Sequence, residues 1–477
     1  MSPIHSPLLP SSLSELKQSV ESGIDIALPL ADSLMFRQVD RPAQGFFAKQ
    51  VRRRFANLVG GQVDIFDETG NFSLAGSRET PDEYEADPLS ARVFVSDSEM
   101  YRRIMLGGTI GAAESYMARQ WSTDNLTALI RIMIRNLDHF SQLEKGWARL
   151  KNAWHFVQHL FRHNSVENSK RNIHEHYDLG NDFYRLFLDE TMNYSSGLFQ
   201  KDDLSGATSS AKATMQQGSL QKMDSICRKL QINSLDHVLE IGTGWGAMAI
   251  FMAQNYGCRV TTTTISQEQY RLAQQRVEAA GLEDRVTVLL EDYRNLEGQY
   301  DKIVSIEMIE AVGHQYYDQY FKKCNSLLRN DGAMLLQAIT IGEQNYEYHI
   351  RHVDFIGKYI FPGGSLPSVS ALTQSVGRVS RMRMLYQEDL TPHYQRTIEL
   401  WRIEFMRRLN DVRSQGFSES FIRRWHFYLC YCEAAFAERR VHCTHVMFAK
   451  PACKLDPYIQ FNDAKTGLRR PEIEVSN

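Results

Sequence analysis

The sequence predicts an α/β protein: a Rossmann-like domain of parallel strands alternating with helices, preceded by a smaller α+β region. Three observations carry this prediction. From about residue 235, short apolar runs rich in β-branched residues alternate with helical stretches, as expected of a parallel sheet with helices on both faces. A glycine-rich segment closes the first of those runs and opens a helix. Upstream, turn-forming residues separate shorter apolar runs, a texture unlike the one that follows.

At 477 residues the chain has room for two or three domains. We place an N-terminal α+β domain at 1–144, a basic linker helix at 145–172, a large α/β domain at 173–453 and a polar tail at 454–477. In the first domain, Gly61–Phe66 and Arg92–Val95 read as strands around a loop-rich stretch at 67–90, and 96–141 reads as helical. In the linker, Trp147, Leu150, Trp154, Val157 and Phe161 form one apolar face. Lys145, Arg149, Lys151, Arg162, Lys170 and Arg171 stand there against the single acid Glu167. Such a helix either lies on an anionic membrane surface or packs on a neighbouring element. In the large domain, strands are expected at 237–241, 259–265, 285–290, 301–306 and 333–341, with helices at 246–256, 267–280 and 316–329. Two long helices at about 393–411 and 417–439 then precede 441–449, which is expected to return to the sheet as an edge strand.

Composition narrows the function classes. A net charge of −3 implies no polyanion partner, hence no nucleic acid. The seven cysteines contain no CxxC pair, which argues for free thiols rather than a disulfide framework. The first residues lack the basic and apolar regions of a signal peptide, and no window is apolar enough to span a bilayer. The expected location is therefore cytoplasmic, with any lipid reached from the membrane surface.

The segment Glu240-Ile241-Gly242-Thr243-Gly244-Trp245-Gly246 follows the first strand of the large domain. Its GxGxG spacing departs from the GxGxxG dinucleotide fingerprint, and the second strand ends in Thr262, Thr263 and Thr264 without the acid that NAD recognition uses. An ExGxGxG loop suits the amino-acid end of S-adenosylmethionine (SAM), the alternative being a structural turn. Asp292 and Tyr293 follow the third strand, at the sheet edge that faces the ligand crevice. There a tyrosine can lie on an adenine and a carboxylate can accept from its amine. His174 and His176 lie two apart, but no carboxylate or cysteine set at ligand spacing accompanies them.

Several motifs together resemble one family, the cyclopropane fatty acid synthases, including the mycolic acid cyclopropane synthases. They are HYDLGND at 176–182, Met192–Ser196, Thr264–Gln269, Glu291–Arg294, Ser305–Gly313 and Tyr359–Gly364. The likeness covers about 166–450 and extends weakly to 107–117. It implies a seven-stranded SAM methyltransferase sheet with helical lid insertions over an acyl pocket. It further implies cofactor contacts at Tyr194, Ser195, Gly242, Gly244, Thr264, Ile265, Gln269, Asp292, Tyr293 and Ile306. Its substrates are unsaturated phospholipid acyl chains at the membrane, and its longer members form homodimers through the N-terminal domain.

A cis double bond is a weak nucleophile, so it must be held against the methyl donor in a dry site. Methylation leaves a carbocation, which aromatic faces stabilise; Tyr177, Tyr194 and Tyr394 are candidates. A base must then take a proton. The resemblance implies a bound bicarbonate, held by Glu310, Tyr394, the backbone near Ile339, and the positions of Gln337 and Ser196. The last two depart from the family's histidine and cysteine. Glutamine donates a hydrogen bond but carries no charge. The product is then a cyclopropane ring if the base serves the new methyl group, or a methyl-branched unsaturated chain if the proton leaves elsewhere. A methyltransferase for a small polar molecule and a lipid-binding module with a degenerate cofactor site are the rival classes. The aromatic insert at 344–367 opposes the first, and the intact glycine loop and Glu310 oppose the second.

Overall fold

A computed structural model describes residues 45–56, 58–75, 87–137, 179–204 and 210–456. The linker 145–172, His174, His176 and Tyr177, and the tail beyond 456 lie outside those residues. The chain divides into two compact units, one of residues 1–143 with 419–427 and the other of 144–418 with 428–477.

The first unit holds a four-stranded sheet. Its strands are β1 (Gly61–Asp67), β2 (Gly70–Ala75), β3 (Leu89–Val95) and β4 (Trp121–Thr123), in the order β2-β1-β3-β4. β1 and β2 form an antiparallel hairpin, β1 and β3 run parallel, and β4 pairs antiparallel with β3. The stretch expected to be helical over 96–141 is instead two helices, Glu99–Met117 and Leu126–Arg135, with β4 between them. The break is written locally. Arg119 takes a left-handed φ of 60°, and the Asn125 side chain caps the second helix by accepting from the Ala128 N–H. Buried Arg423 donates to the carbonyls of Tyr116 (2.7 Å) and Trp121 (2.8 Å), fastening that turn.

The second unit is built on a seven-stranded sheet of β5 (His237–Ile241), β6 (Arg259–Thr264), β7 (Val286–Leu290), β8 (Tyr300–Ile306), β9 (Leu328–Ile341), β10 (Arg383–Asp389) and β11 (Val441–Ala449). Their order is β10-β11-β9-β8-β5-β6-β7. The five strands from β9 to β7 are mutually parallel, and β11 is antiparallel to both neighbours. Successive strand residues face opposite sides, and both sides are apolar. Val238, Val304, Leu335 and Met447 join one core with Ile226 and Met252 of the helices Ala211–Lys229 and Ala247–Tyr256. Leu239, Ile303, Leu336 and Val446 join the other with Phe321 and Leu372 of the helices Tyr317–Leu327 and Val369–Val379. Burial on both faces explains why these strands read as continuous apolar runs.

β11 is not the edge strand expected from the sequence. It lies between β9 and β10, and β10 forms the edge. No residue of β10 is fully buried, and only Leu385 and Tyr386 pack against the core, so its apolar signal is short. Helical insertions follow β9 and β10, including Glu343–His349, Phe355–Tyr359 and Thr391–Arg407. No helix of the described residues is long and apolar enough to cross a membrane. None of the seven cysteines is paired in a disulfide.

Candidate active site

β5 and β8 are neighbours whose connections leave in opposite directions, to β6 on one side and β9 on the other. Ligands of open α/β sheets bind at the carboxyl ends of such strands. The glycine loop stands there. Gly242, Gly244 and Gly246 have φ of 96°, 53° and 88°, values that favour glycine. A Cβ at Gly242 would lie 3.2 Å from Met308 Cγ, whereas one at Gly244 would meet no protein atom within 4 Å. The loop is pinned to β6, since the N–H groups of Gly242 and Thr243 both donate to the Thr263 carbonyl at 3.1 and 2.9 Å. Behind it, buried Glu240 accepts from Thr262 Oγ1, and burial pushes its pKa up to about 7.

The other expected cofactor residues gather around the same strand ends. Thr264 Oγ1 donates to Gln269 Oε1 at 2.8 Å, so the amide nitrogen of this buried glutamine is the end that could hold a cofactor hydroxyl. Asp292 is gripped by Arg294 through Nε (2.8 Å) and a terminal nitrogen (2.7 Å); its carboxylate is fixed in place before any ligand arrives. Tyr293 packs edge-on against Tyr320. Ile265, Tyr293 and Ile306 retain partial surface around the loop. The residues present thus fit SAM: a glycine loop open above Gly244, an amide after β6 and a fixed carboxylate with an aromatic ring after β7.

The segment 189–197 closes the site from another side. Lys222, fully buried on the helix Ala211–Lys229, donates to Ser195 Oγ (2.7 Å) and Asn193 Oδ1 (3.2 Å). Burial pulls its pKa down, while Glu307 and Asp189 oppose that pull. Trp245 of the glycine loop donates to Asn181 Oδ1 at 2.7 Å, and Arg276 reaches the carbonyls of both Thr191 and Trp245. The glycine loop and the 189–197 segment are therefore one hydrogen-bonded assembly. Tyr194 stacks on Trp401 at 4.9 Å and its hydroxyl meets that of Tyr428 at 2.8 Å. Tyr394 stacks on Phe436 at 4.4 Å. Aromatic faces of this kind can stabilise a cation.

Two carboxyls form the centre. Glu307 Oε1 accepts from the Ser196 N–H (2.9 Å) and Gln337 Nε2 (2.7 Å), and Oε2 accepts from the Tyr394 hydroxyl (2.6 Å). Glu310 Oε1 accepts from the Ile339 N–H at 2.5 Å, and its Oε2 is buried with no partner. Neither residue is exposed, though both keep some surface, and Glu310 Oε2 itself is buried. Burial, and then the Glu307 charge, push the Glu310 pKa up to about 8. Burial raises that of Glu307 as well, against the three donated hydrogen bonds. Glu307 thus accepts three hydrogen bonds and Glu310 one, and each donated hydrogen bond favours the charged form of the carboxyl that receives it.

The structure thus brings Ser196, Gln337, Ile339, Tyr394 and Glu310 together around Glu307. Sequence reasoning missed Glu307, Lys222, Trp401, Tyr428 and His445. Glu307 lay within the quoted Ser305–Gly313 motif, and a second acid three residues before Glu310 was the available signal. The others sit on long helices or an internal strand, where polar residues carry no local pattern.

A seven-stranded sheet of this order, with a glycine loop at its switch point and a carboxyl centre beside it, defines a SAM-dependent methyltransferase. Residues 164–446 match the family of mycolic acid cyclopropane synthetase, and the chain belongs to that family. It is 40% identical over 357 residues to the tuberculostearic acid methyltransferase UfaA1 of Mycobacterium tuberculosis, covering 74% of this chain and 81% of that one. It is 34% identical over 367 residues to the cyclopropane-fatty-acyl-phospholipid synthase of Escherichia coli, covering 76% and 88%. Among solved structures, the mycolic acid cyclopropane synthase CmaA1 complexed with SAH and CTAB superposes with a TM-score of 0.53 at 30% identity, over 59% of this chain and 98% of that one.

Proposed function

We propose that this protein transfers the methyl carbon of SAM to the cis double bond of unsaturated phospholipid acyl chains and closes a cyclopropane ring. The observation that carries the reading is the centre in which Glu307, Glu310 and Tyr394 converge beside the rings of Tyr194 and Trp401. Relatives that act on lipid acyl groups support it. When bound, SAM supplies an electrophilic methyl group. The glycine loop and Gln269 hold it. The segment 193–196, fixed by Lys222, presents Tyr194 to the charge that develops on the chain, and the carboxyl centre takes the proton released.

Two observations favour a second product. Gln337 stands where the family's histidine is expected, and the relative at 40% identity is named a methyltransferase rather than a cyclopropane synthase. A methyl-branched unsaturated chain is therefore the alternative outcome of the same transfer. Expression in a bacterial host without such an activity, followed by gas chromatography of the fatty acid methyl esters, tests the reading. Monounsaturated chains should decline as chains larger by one CH₂ appear, with proton NMR separating ring from branch. An unchanged profile in cells holding folded, SAM-binding protein would refute it. Docking of the basic 145–172 segment on the inner face of the membrane, and dimerisation through residues 1–144, complete the proposal; the charge pattern of that segment supports the former.

A further inference from the structure

We infer that the Glu307 carboxylate is this enzyme's resident proton acceptor, and that it occupies the seat which the resemblance assigns to a dissolved bicarbonate. The inference rests on the proposed transfer to a double bond. Five groups would hold the bicarbonate: the Ser196 and Ile339 N–H groups, residue 337, Tyr394 and Glu310. Three of them, Ser196 N–H, Gln337 Nε2 and the Tyr394 hydroxyl, already donate to Glu307, and Ile339 N–H donates to Glu310. A bicarbonate would have to displace a carboxylate from every donor it needs, and would add a negative charge beside two acids.

The surroundings are built for that carboxylate. Glu307 sits at the end of β8 with φ of 49°, a left-handed conformation that a residue with a side chain adopts at a cost. Strain of this kind persists where the site requires it. Gln337 is aimed by a chain of neighbours. Burial pulls the His445 pKa down to about 3, so its ring is neutral. Lys229 Nζ donates to His445 Nδ1 at 2.8 Å, which places the ring proton on Nε2. Nε2 then donates to Gln337 Oε1 at 2.8 Å. With its oxygen engaged, the Gln337 amide must present Nε2 to Glu307. The glutamine that departs from the family's histidine is thus a fixed neutral donor to an internal anion, and His445 and Lys229 are positioning residues.

The step balances without a further reagent. The methyl group has added to one olefinic carbon through the π pair, leaving the cation on its neighbour. On ring closure, a C–H pair of that methyl group becomes the last C–C bond and the proton passes to Glu307. In the branched outcome, a C–H pair of the chain becomes the new double bond and the proton goes to the same oxygen. Glu307 returns the proton to water before the next turnover.

The test compares wild type, Glu307→Gln and Glu307→Gly in bicarbonate-stripped and bicarbonate-supplemented buffer, with unsaturated phospholipid vesicles and SAM. Wild-type turnover should be the same in both buffers. Glu307→Gln should lose about 10²–10⁴-fold, the range of a positioned base, with SAM affinity by calorimetry unchanged. Glycine accommodates the left-handed φ, so Glu307→Gly leaves an intact but empty set of donors. It should be inactive in stripped buffer and recover with added bicarbonate. Isotope-labelled bicarbonate, followed by NMR line broadening, should bind Glu307→Gly and not wild type. Binding of bicarbonate to wild type, or a wild-type rate that collapses in stripped buffer and returns on supplementation, would overturn the inference. The binding arm needs no turnover. Failure of the methyl-transfer reading would instead show as inactivity of wild type in both buffers, and the occupancy of the seat would still be decided.

Discussion

Glu310→Gln is expected to stabilise the protein, and to do so more strongly as pH rises. The wild-type carboxyl has a folded pKa of about 8 against an ordinary value of 4.5. Between those values the folded state binds a proton that the unfolded chain has released. Stability from this group is complete below about pH 4.5 and falls as pH rises towards 8. Each unit within that window is worth about 1.4 kcal/mol at most. Glutamine mimics the neutral acid, keeps an oxygen for the Ile339 N–H and removes the titration. The melting-temperature gap between variant and wild type should be near zero at pH 5 and open by several degrees at pH 7.5, since about 1 kcal/mol moves the midpoint of a domain of this size by roughly 2–4 °C. Because Glu310 is neutral at pH 7, turnover there should fall by less than about tenfold, far less than the loss of a positioned base. A gap that is flat or closes with pH would show that Glu310 is ionised in the folded protein and would exchange the roles of the two acids.

Gly244→Val should abolish SAM binding while leaving the fold in place. Gly244 has φ of 53°, and a Cβ there would touch no protein atom within 4 Å. Packing within the protein therefore does not demand a glycine; the conformation and the space above the loop do. Valine in a left-handed conformation costs roughly 1–2 kcal/mol, and its methyl groups would fill the volume into which the cofactor must come. SAM affinity by calorimetry should fall by about 100-fold or more, which is roughly 3 kcal/mol, while the melting temperature changes by only a few degrees. Gly244→Asn, which tolerates a left-handed φ, should fold as well as wild type and still bind poorly. Wild-type affinity in either variant would place the cofactor elsewhere.

Much of the fold was legible because burial on two faces forces apolar runs. β5 and β11 fall on the residues expected, and β6, β7 and β8 differ by a single residue at one end. β10 was not read from the sequence: only Leu385 and Tyr386 of this edge strand pack against the core, and its apolar run of Met384, Leu385 and Tyr386 is too short to show a period. The position of β11 inside the sheet could not be read either, because strand order is decided by which edges remain unpaired once the chain has folded. β4 was lost within a helical stretch, since three residues are too few to show a period.

The site was legible as a set of residues but not as a circuit. Glu310 stood out through its motif, yet the turn at Glu307 is what directs a carboxylate at Ser196, Gln337 and Tyr394. A positive φ at a glutamate leaves no mark in a sequence. Gln337 looked like the loss of a histidine. Its meaning depends on His445, opposite it on β11, and on Lys229, 216 residues away from His445. Lys222 looked like an ordinary helix residue, and only its burial beneath Ser195 reveals it as the support of the segment that carries Tyr194.

The most direct measurement incubates the purified protein with methyl-labelled SAM and vesicles of either monounsaturated or fully saturated phospholipid, then separates acyl chains from headgroups by saponification. The label should appear in the acyl fraction of the unsaturated vesicles and nowhere in the saturated ones. Label in the headgroup fraction, or equal labelling of both vesicle types, would contradict the account.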